Sequence, residues 1–549
     1  MTRQNPFGKI VRFAAVLVAL LMVTSLMVAT VGAERDATGA VQTMERDHAG
    51  TDEYNGDVCE PVEGDFDAAT DGGDRDSPSV PDLEVEIKIR APNGEKKVDA
   101  DEDGVVEYYH YHFERHVRID ADGDGNYEYI MDLVICRLWI DRNDDGIAEL
   151  AKGYYLFREI IDRDDDGEPE LMRGTVSVYK KVDADSDGNP ELVWSGSAYK
   201  RVVDADSDGD PELHEASTRS HLRIDRNSDG TPEQVRTTGS GHKLVDRDGD
   251  GEPELLTRWH NVYNAIDRNQ DGIVEFYNAK SASGGMVDAD SDGEPEAKKG
   301  QGKHVMQINR DSDRNAEYTL RSGWSFLMID RDSDGEPELK EGFGYKKETK
   351  DRDDDGNPES NITKKRAHKM VDRDSDGEPE LRHGYDAVWG ALDANSDGNP
   401  EVKGQRWTYW KVVDADSDGK PELFKKDEGS RAVYDRDSDG IHEYFKATRT
   451  IREWIDADDD GNKEYDFASD TLLEFFDRDD DGDWDVGHVK SKGFIVIDRD
   501  DDGEPERAER WDIDRWWKAT DDTPVNVESS GLKVIEPPVD PEPLDAVSL

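Results

Sequence analysis

From residue 99 to residue 518 the chain alternates between two kinds of segment, and the alternation never loses step. One kind is 12 residues long and rich in β-branched and aromatic residues, as in "LMRGTVSVYKKV" (171–182) and "VKGQRWTYWKVV" (402–413). The other is nine residues long, acidic and poor in apolar side chains, as in "DADSDGNPE" (183–191). The longer segments lack helix start signals and carry scattered Gly, Thr and Val, so they predict β-strands. No turn residue recurs at a fixed place inside them. Each is therefore read as one long strand, with two short strands as the alternative. The residue before an acidic segment is apolar or aromatic except at Lys350, and the residue after it usually is, as at Leu171, Leu192, Leu423 and Tyr444. Every acidic loop thus sits between anchors that favour burial.

Aligned on Asp-x-Asp/Asn-x-Asp-Gly, the loops begin at Asp99 and recur every 21 residues through Asp498, giving 20 copies without insertion or deletion. Acidic filler would tolerate changes of length, so the period is structural. It predicts an all-β fold: a tandem array of 20 strand–loop–strand repeats laid out as an extended or curled antiparallel meander. If each segment folded in half, two copies would form a four-stranded blade and the array would close as one or more β-propellers. A coiled β-solenoid is the third layout.

Composition narrows this picture. With 34% hydrophobic and 37% charged residues the chain is too poor in core material for one large buried core. The formal net charge is −61, and it is not spread evenly. The 20 loops hold 90 Asp/Glu and 15 Lys/Arg, whereas the rest of the chain holds 41 acids and 55 bases. A surface acidified for solvation would be acidic along the strands as well. This charge also excludes non-specific nucleic-acid binding and leaves the loops in need of cations.

The spacing says which cations. Calcium takes six to eight oxygen ligands, and alternate positions of a tight loop aim their side chains at one centre. The first, third, fifth and ninth residues are the expected ligands, the seventh offers its carbonyl, and the sixth, glycine in every copy but the one with Arg314, permits the turn. Pro190, at the eighth place, removes an N–H donor and biases Asn189 toward extended backbone. The first five sets are Asp99, Asp101, Asp103, Glu107; Asp120, Asp122, Asp124, Glu128; Asp141, Asn143, Asp145, Glu149; Asp162, Asp164, Asp166, Glu170; and Asp183, Asp185, Asp187, Glu191. Next come Asp204, Asp206, Asp208, Glu212; Asp225, Asn227, Asp229, Glu233; Asp246, Asp248, Asp250, Glu254; Asp267, Asn269, Asp271, Glu275; and Asp288, Asp290, Asp292, Glu296. Beyond residue 329 they are Asp330, Asp332, Asp334, Glu338; Asp351, Asp353, Asp355, Glu359; Asp372, Asp374, Asp376, Glu380; Asp393, Asn395, Asp397, Glu401; and Asp414, Asp416, Asp418, Glu422. The last four are Asp435, Asp437, Asp439, Glu443; Asp456, Asp458, Asp460, Glu464; Asp477, Asp479, Asp481, Asp485; and Asp498, Asp500, Asp502, Glu506. The remaining loop opens on Asn309 and carries Arg314 in place of glycine. It is expected to be weak or empty, with Arg314 as an internal counter-charge. Twenty divalent ions would add 40 positive charges and leave a net of about −21.

In an EF-hand the closing Glu stands at position twelve between helices; here that place holds Trp194 or Arg173. Asp-x-Asp-x-Asp-Gly-x-Pro-Glu, closing at position nine between strands, resembles the calcium loops of FG-GAP and related propeller repeats. Its first half is also similar to dockerin and thrombospondin type 3 loops. The resemblance is confined to the loops, and those families do not share the 21-residue period. What it implies is calcium ligation on an extracellular scaffold.

Residues 1–33 read as a secretory signal, with Arg3, Lys9 and Arg12 ahead of a nearly apolar run from Phe13 to Thr30 and small residues at Val31-Gly32-Ala33. An uncleaved membrane anchor is the alternative, and only then would the membrane be a partner. Residues 34–98 read as a partly disordered leader, 99–518 as the repeat domain and 519–549 as a disordered tail. Trp511, Trp516 and Trp517 are expected to cap the array. Cys59 and Cys136 are read either as free thiols or as one disulfide. His110, His112 and His116 are read as ordinary strand histidines rather than a transition-metal site, and the tryptophans as packing groups rather than sugar platforms. Asn361 opens a glycosylation sequon. No His-Glu-x-x-His, Gly-x-Ser-x-Gly or P-loop occurs, so no enzyme is expected. Two functions follow: a secreted or cell-surface structural or adhesive protein rigidified by calcium, or a calcium-stabilised propeller that binds or hydrolyses carbohydrate. The expected partners are calcium ions, and beyond them cell-surface glycans or other copies of the chain.

Overall fold

The computed structural model describes residues 84–90, 95–290, 292–313 and 315–518. The segment read as a signal, Cys59, Arg314 and the segment read as a tail lie outside the described residues. Strands β1 (Glu84–Arg90) and β2 (Glu95–Val98) come first, followed by β3 (Tyr108–Asp120). From β4 (Tyr129–Ile140) through β22 (Arg507–Lys518) all strands are equal in length, and each starts one repeat after the strand before it. No helix occurs among the described residues. Each segment is a single unbroken strand, so the folded-segment alternative and the propeller built on it are not what the chain adopts. β1 and β2, from the segment read as leader, both pair with β3 and so give the repeats an ordered first edge.

The chain divides into two compact units, one reaching Gly209 and including Glu215–Thr231, the other made of Asp210–His214 and the residues from Pro232 onward. In the first, β3 to β7 (Leu192–Val203) follow one another as an antiparallel meander. In the second, β9 (Gln234–Val245) to β22 do the same, and among the described residues no pairing returns β22 to β9.

The register is constant, because every strand has the same length and every turn is a nine-residue loop. Leu255, the first residue of β10 (Leu255–Ile266), faces Val245 on one side and Val287 on the other. The apolar residues flanking successive loops therefore stand in rows, and the loops emerge alternately at the two margins where strands end. Neighbours along one margin are thus loops two copies apart in sequence, and they are directly joined: the N–H of Asp183 donates to the carbonyl of Glu149 at 2.9 Å, and that of Asp372 to Glu338 at 2.9 Å.

Buried apolar side chains collect toward the end of the second unit. Tyr385, Ala387, Trp407, Ala447, Leu473, Phe475 and Val489 form one cluster, with Trp389, Tyr409, Phe445, Trp484, Ile513 and Trp517 packed against it. Side chains alternate between faces along a strand and directly paired residues share one. The pairings Ala387↔Trp407, Trp407↔Gly429, Gly429↔Arg449, Arg449↔Thr471 and Thr471↔Ser491 place the strand members of this cluster on one face. Trp407 is 1% exposed, which makes it a packing group and not a sugar platform. Trp517 and Ile513 on β22 do cover this cluster, while Trp516 points the other way, 60% exposed and stacked on His488 at 3.9 Å.

Candidate metal centre

Each loop is a cage made largely by its own backbone. In the Asp141 loop, the N–H groups of Asp144 and Gly146 donate to the Asp141 carboxylate at 3.0 and 2.8 Å, and Ile147 donates to Asp145 at 2.7 Å. The ninth residue turns back to accept the N–H of the second: Arg142 on Glu149 at 2.7 Å, Ala184 on Glu191 at 2.7 Å, Arg499 on Glu506 at 2.7 Å. Asp485, the one aspartate at that place, keeps the bond, with the N–H of Arg478 at 2.7 Å. The sixth residue stands at positive φ, +91° in Gly188, where glycine alone is unstrained. These bonds use one oxygen of several carboxylates and leave the rest converging.

In several loops three of the positions picked out by the spacing come together. Asp99, Asp101 and Glu107 lie with ligand atoms within 4.8 Å of one another, as do Asp120, Asp122 and Glu128, and Asp162, Asp164 and Asp166. The first aspartate is the deepest: Asp141, Asp183 and Asp225 are 0% exposed, and Asp288 is 1% exposed. Yet Oδ1 of Asp225, Asp288, Asp330, Asp372 and Asp435 has no hydrogen-bond partner, and in Asp183 neither oxygen has one. Burial, with like charges behind it, pushes up the carboxyls of Asp330, Asp372 and Asp414. In Asp479 and Asp500 the neighbouring carboxylates are the leading cause.

The Asn309 loop keeps the frame of the others. Asn309 is 0% exposed, its N–H donates to the carbonyl of Glu275 at 2.8 Å, and Glu317 accepts the N–H of Arg310 at 2.8 Å.

One position escaped the sequence reading. Among the described residues seventeen non-glycine positions have positive φ, from Glu102 at 65° to Asp501 at 54°, and every one is the fourth residue of a loop. In Asp144, Asp165, Asp459 and Ser438 the side chain leaves its own cage toward the neighbouring loop on the same margin. Asp144 thus lies with Asp101 and Asp103, and Asp165 with Asp122 and Asp124, in further carboxylate groups within 4.8 Å. Burial, helped by the carboxylates of Asp311, Asp313 and Glu317, pushes Asp354 up to about 7, the behaviour of an acid held in another loop's field. The signal was available as recurrent Asp or Ser at position four, but its target lies two copies away, outside the loop that carries it.

The remaining chemistry is local. The β3 histidines have local partners: His110 Nε2 lies 3.8 Å from Cys136 Sγ, while His112 and His116 both reach Glu114, at 2.8 and 3.5 Å, and His116 also bonds Asp132 at 2.8 Å. Cys136 is disulfide-bonded, which excludes the free-thiol reading for that residue.

Fold and cages together define an all-β tandem-repeat protein with acidic loops on both strand margins. No protein-family model and no curated protein matches the chain. Among solved structures it is similar to OpdO of Pseudomonas aeruginosa, at 11% identity over 67% of this chain and 94% of that one, with a TM-score of 0.18. The unliganded ferric citrate transporter FecA matches at 8% identity over 73% of this chain and 62% of that one, with a TM-score of 0.16. CdiB from Acinetobacter baumannii matches at 9% identity over 75% and 65%, with a TM-score of 0.13. Overlap at this level carries no functional information.

Proposed function

We propose that the chain is a secreted or cell-surface calcium-binding repeat protein with a structural or adhesive role, rigidified by about one Ca²⁺ per loop. The observation that carries this reading is the first position of the cages: in Asp288, Asp330, Asp372 and Asp435 a buried carboxylate keeps one oxygen without a hydrogen-bond partner. A carboxylate oxygen withdrawn from water in that way is costly. Two or three more carboxylates of the same loop lie close by, and a cation removes the cost. The donors are nearly all hard oxygens in a flexible, irregular cage, which suits calcium better than zinc or the strictly octahedral magnesium. The basic start and apolar run of residues 1–33 support export, and extracellular calcium modules usually bind at about 10⁻⁴–10⁻³ M.

Folding and ion binding are then coupled, since each metal-free loop opposes its own turn by repulsion. Native mass spectrometry at saturating calcium is expected to show close to one ion per loop. Circular dichroism and X-ray scattering are expected to change on adding a chelator and to recover when calcium is restored. No change in either measurement would overturn the proposal.

A further inference from the structure

We propose that, within each unit, the fourth residue of a loop is a metal ligand in trans, completing the cation site of the preceding loop on its margin, and that Asp354 in this way supplies the carboxylate that the Asn309 loop lacks. The inference rests on the calcium reading and adds to it that a cage followed by another loop on its margin draws a ligand from that loop, except where the fourth residue is glycine.

Three observations support it. Left-handed backbone disfavours every residue but glycine, yet among the described fourth positions only Gly123 and Gly249 avoid a side chain there. A strained conformation retained so often has a use for the side chain. That side chain reaches the neighbouring cage: Asp459 meets Lys420 of the Asp414 loop at 3.0 Å, and Ser438 Oγ meets Asn395 of the Asp393 loop at 3.1 Å. Its oxygens are then left in want of a cation. One carboxylate oxygen each of Asp144, Asp165, Asp480 and Asp501, and both of Asp354, are buried without a hydrogen-bond partner.

The Asn309 cage shows what this achieves. Asn309 is fully buried; its Nδ2 donates to the Asp313 carbonyl at 2.8 Å, and its Oδ1 faces the cage with no partner. The amide has cost the site one negative charge. Asp354 arrives from the next loop on that margin, where most loops of this stretch send serine (Ser312, Ser333, Ser375, Ser396). The two loops are directly joined, the N–H of Asp351 donating to the carbonyl of Glu317 at 2.9 Å, which sets Asp354 beside Asp311, Asp313 and Glu317, the acids of the Asn309 loop. The expectation that this loop is weak considered the loop's own residues only.

The test is calcium-dependent hydrogen–deuterium exchange of the full chain, comparing Asp354→Asn, the milder Asp354→Ser and wild type. In wild type, peptides covering 309–317 and 351–359 are expected to gain protection as calcium rises. In Asp354→Asn the midpoint for 309–317 is expected to move to at least tenfold higher calcium while that for 351–359 stays in place, and Asp354→Ser is expected to lie between. A shift confined to 351–359, or no shift in either peptide, would overturn the trans ligand and leave the calcium reading standing. Absence of calcium-dependent protection in wild type would overturn both.

Discussion

Asp132 shows how this thin sheet accommodates charge where no ion is needed. It lies 5% exposed on β4, receiving His116 Nδ1 at 2.8 Å, Arg118 Nη2 at 2.7 Å and Arg158 Nε at 2.8 Å. Burial alone would raise its carboxyl, but the His116 hydrogen bond and the two guanidinium groups outweigh it and hold the group well below the usual range. The same hydrogen bond leads in pushing His116 up. The two shifts limit stability from opposite sides. The Asp132 contribution is present above its ordinary 3.8 and fades as pH falls toward the lowered value; the His116 contribution is complete below 6.5 and is lost as pH climbs through the raised one. Pulse proteolysis of β3–β5 (Leu150–Ile161) is expected to be slowest between these limits, with His116→Gln removing the alkaline loss. Asp132→Asn is expected to cost about 2–3 kcal/mol, less than a fully buried pair because Arg118 and Arg158 can rehydrate. Within the loops, Gly188→Ala places a Cβ at φ +91° and is expected to cost about 1–3 kcal/mol, read as faster exchange of 183–191 at fixed calcium.

At the scale of the strand, stability is uneven. Trp407, on β17 (Val402–Val413), is 1% exposed within the cluster, with its indole N–H 3.4 Å from Asp427, itself held by Arg449. Trp407→Ala is expected to cost about 3–5 kcal/mol. The loss should appear as opening of β16–β20 (Leu381–Leu392 to Tyr465–Phe476) in hydrogen exchange, with calcium uptake by distant loops unchanged. Here the sequence was a good guide. Long segments bounded by apolar anchors could hardly be anything but strands, and nine-residue loops of fixed length set their register. The acidic positions of the loops could be picked out because their spacing is a local fact. Which face would bury Trp407 was not readable: many strands carry apolar residues at both parities, and the choice depends on what neighbouring strands present. The fourth position was hidden for a related reason. Nothing local to a loop shows that its fourth side chain serves another.

For a whole unit, joined cages mean that ions and strands are lost together. Each loop's first N–H bonds the last carbonyl of the previous loop on its margin, so opening one loop frees its neighbour, the behaviour of a one-dimensional array. Calcium withdrawal is therefore expected to unfold the second unit in a steeper transition than independent sites would give, measured by circular dichroism against free calcium. The loops at Asp477 and Asp498 are the last on their margins, with no further loop to send them a fourth residue. Peptides 477–485 and 498–506 are expected to lose protection first. Excision of residues 288–329, two full copies, should remove two ions and leave the other cages loaded by native mass spectrometry.

The constant register has a consequence for how such a chain can change its length. Equivalent residues of adjacent copies fall on opposite faces and opposite margins in the second unit: Trp407 shares its face with Gly429, not with Glu428. The letters repeat with every copy, but the structure repeats with every second one. Unequal exchange between copies would be silent at the protein level only in even numbers. Gain or loss of a single copy would turn everything after it over, and present the two cages before the junction with a donor selected for the other side.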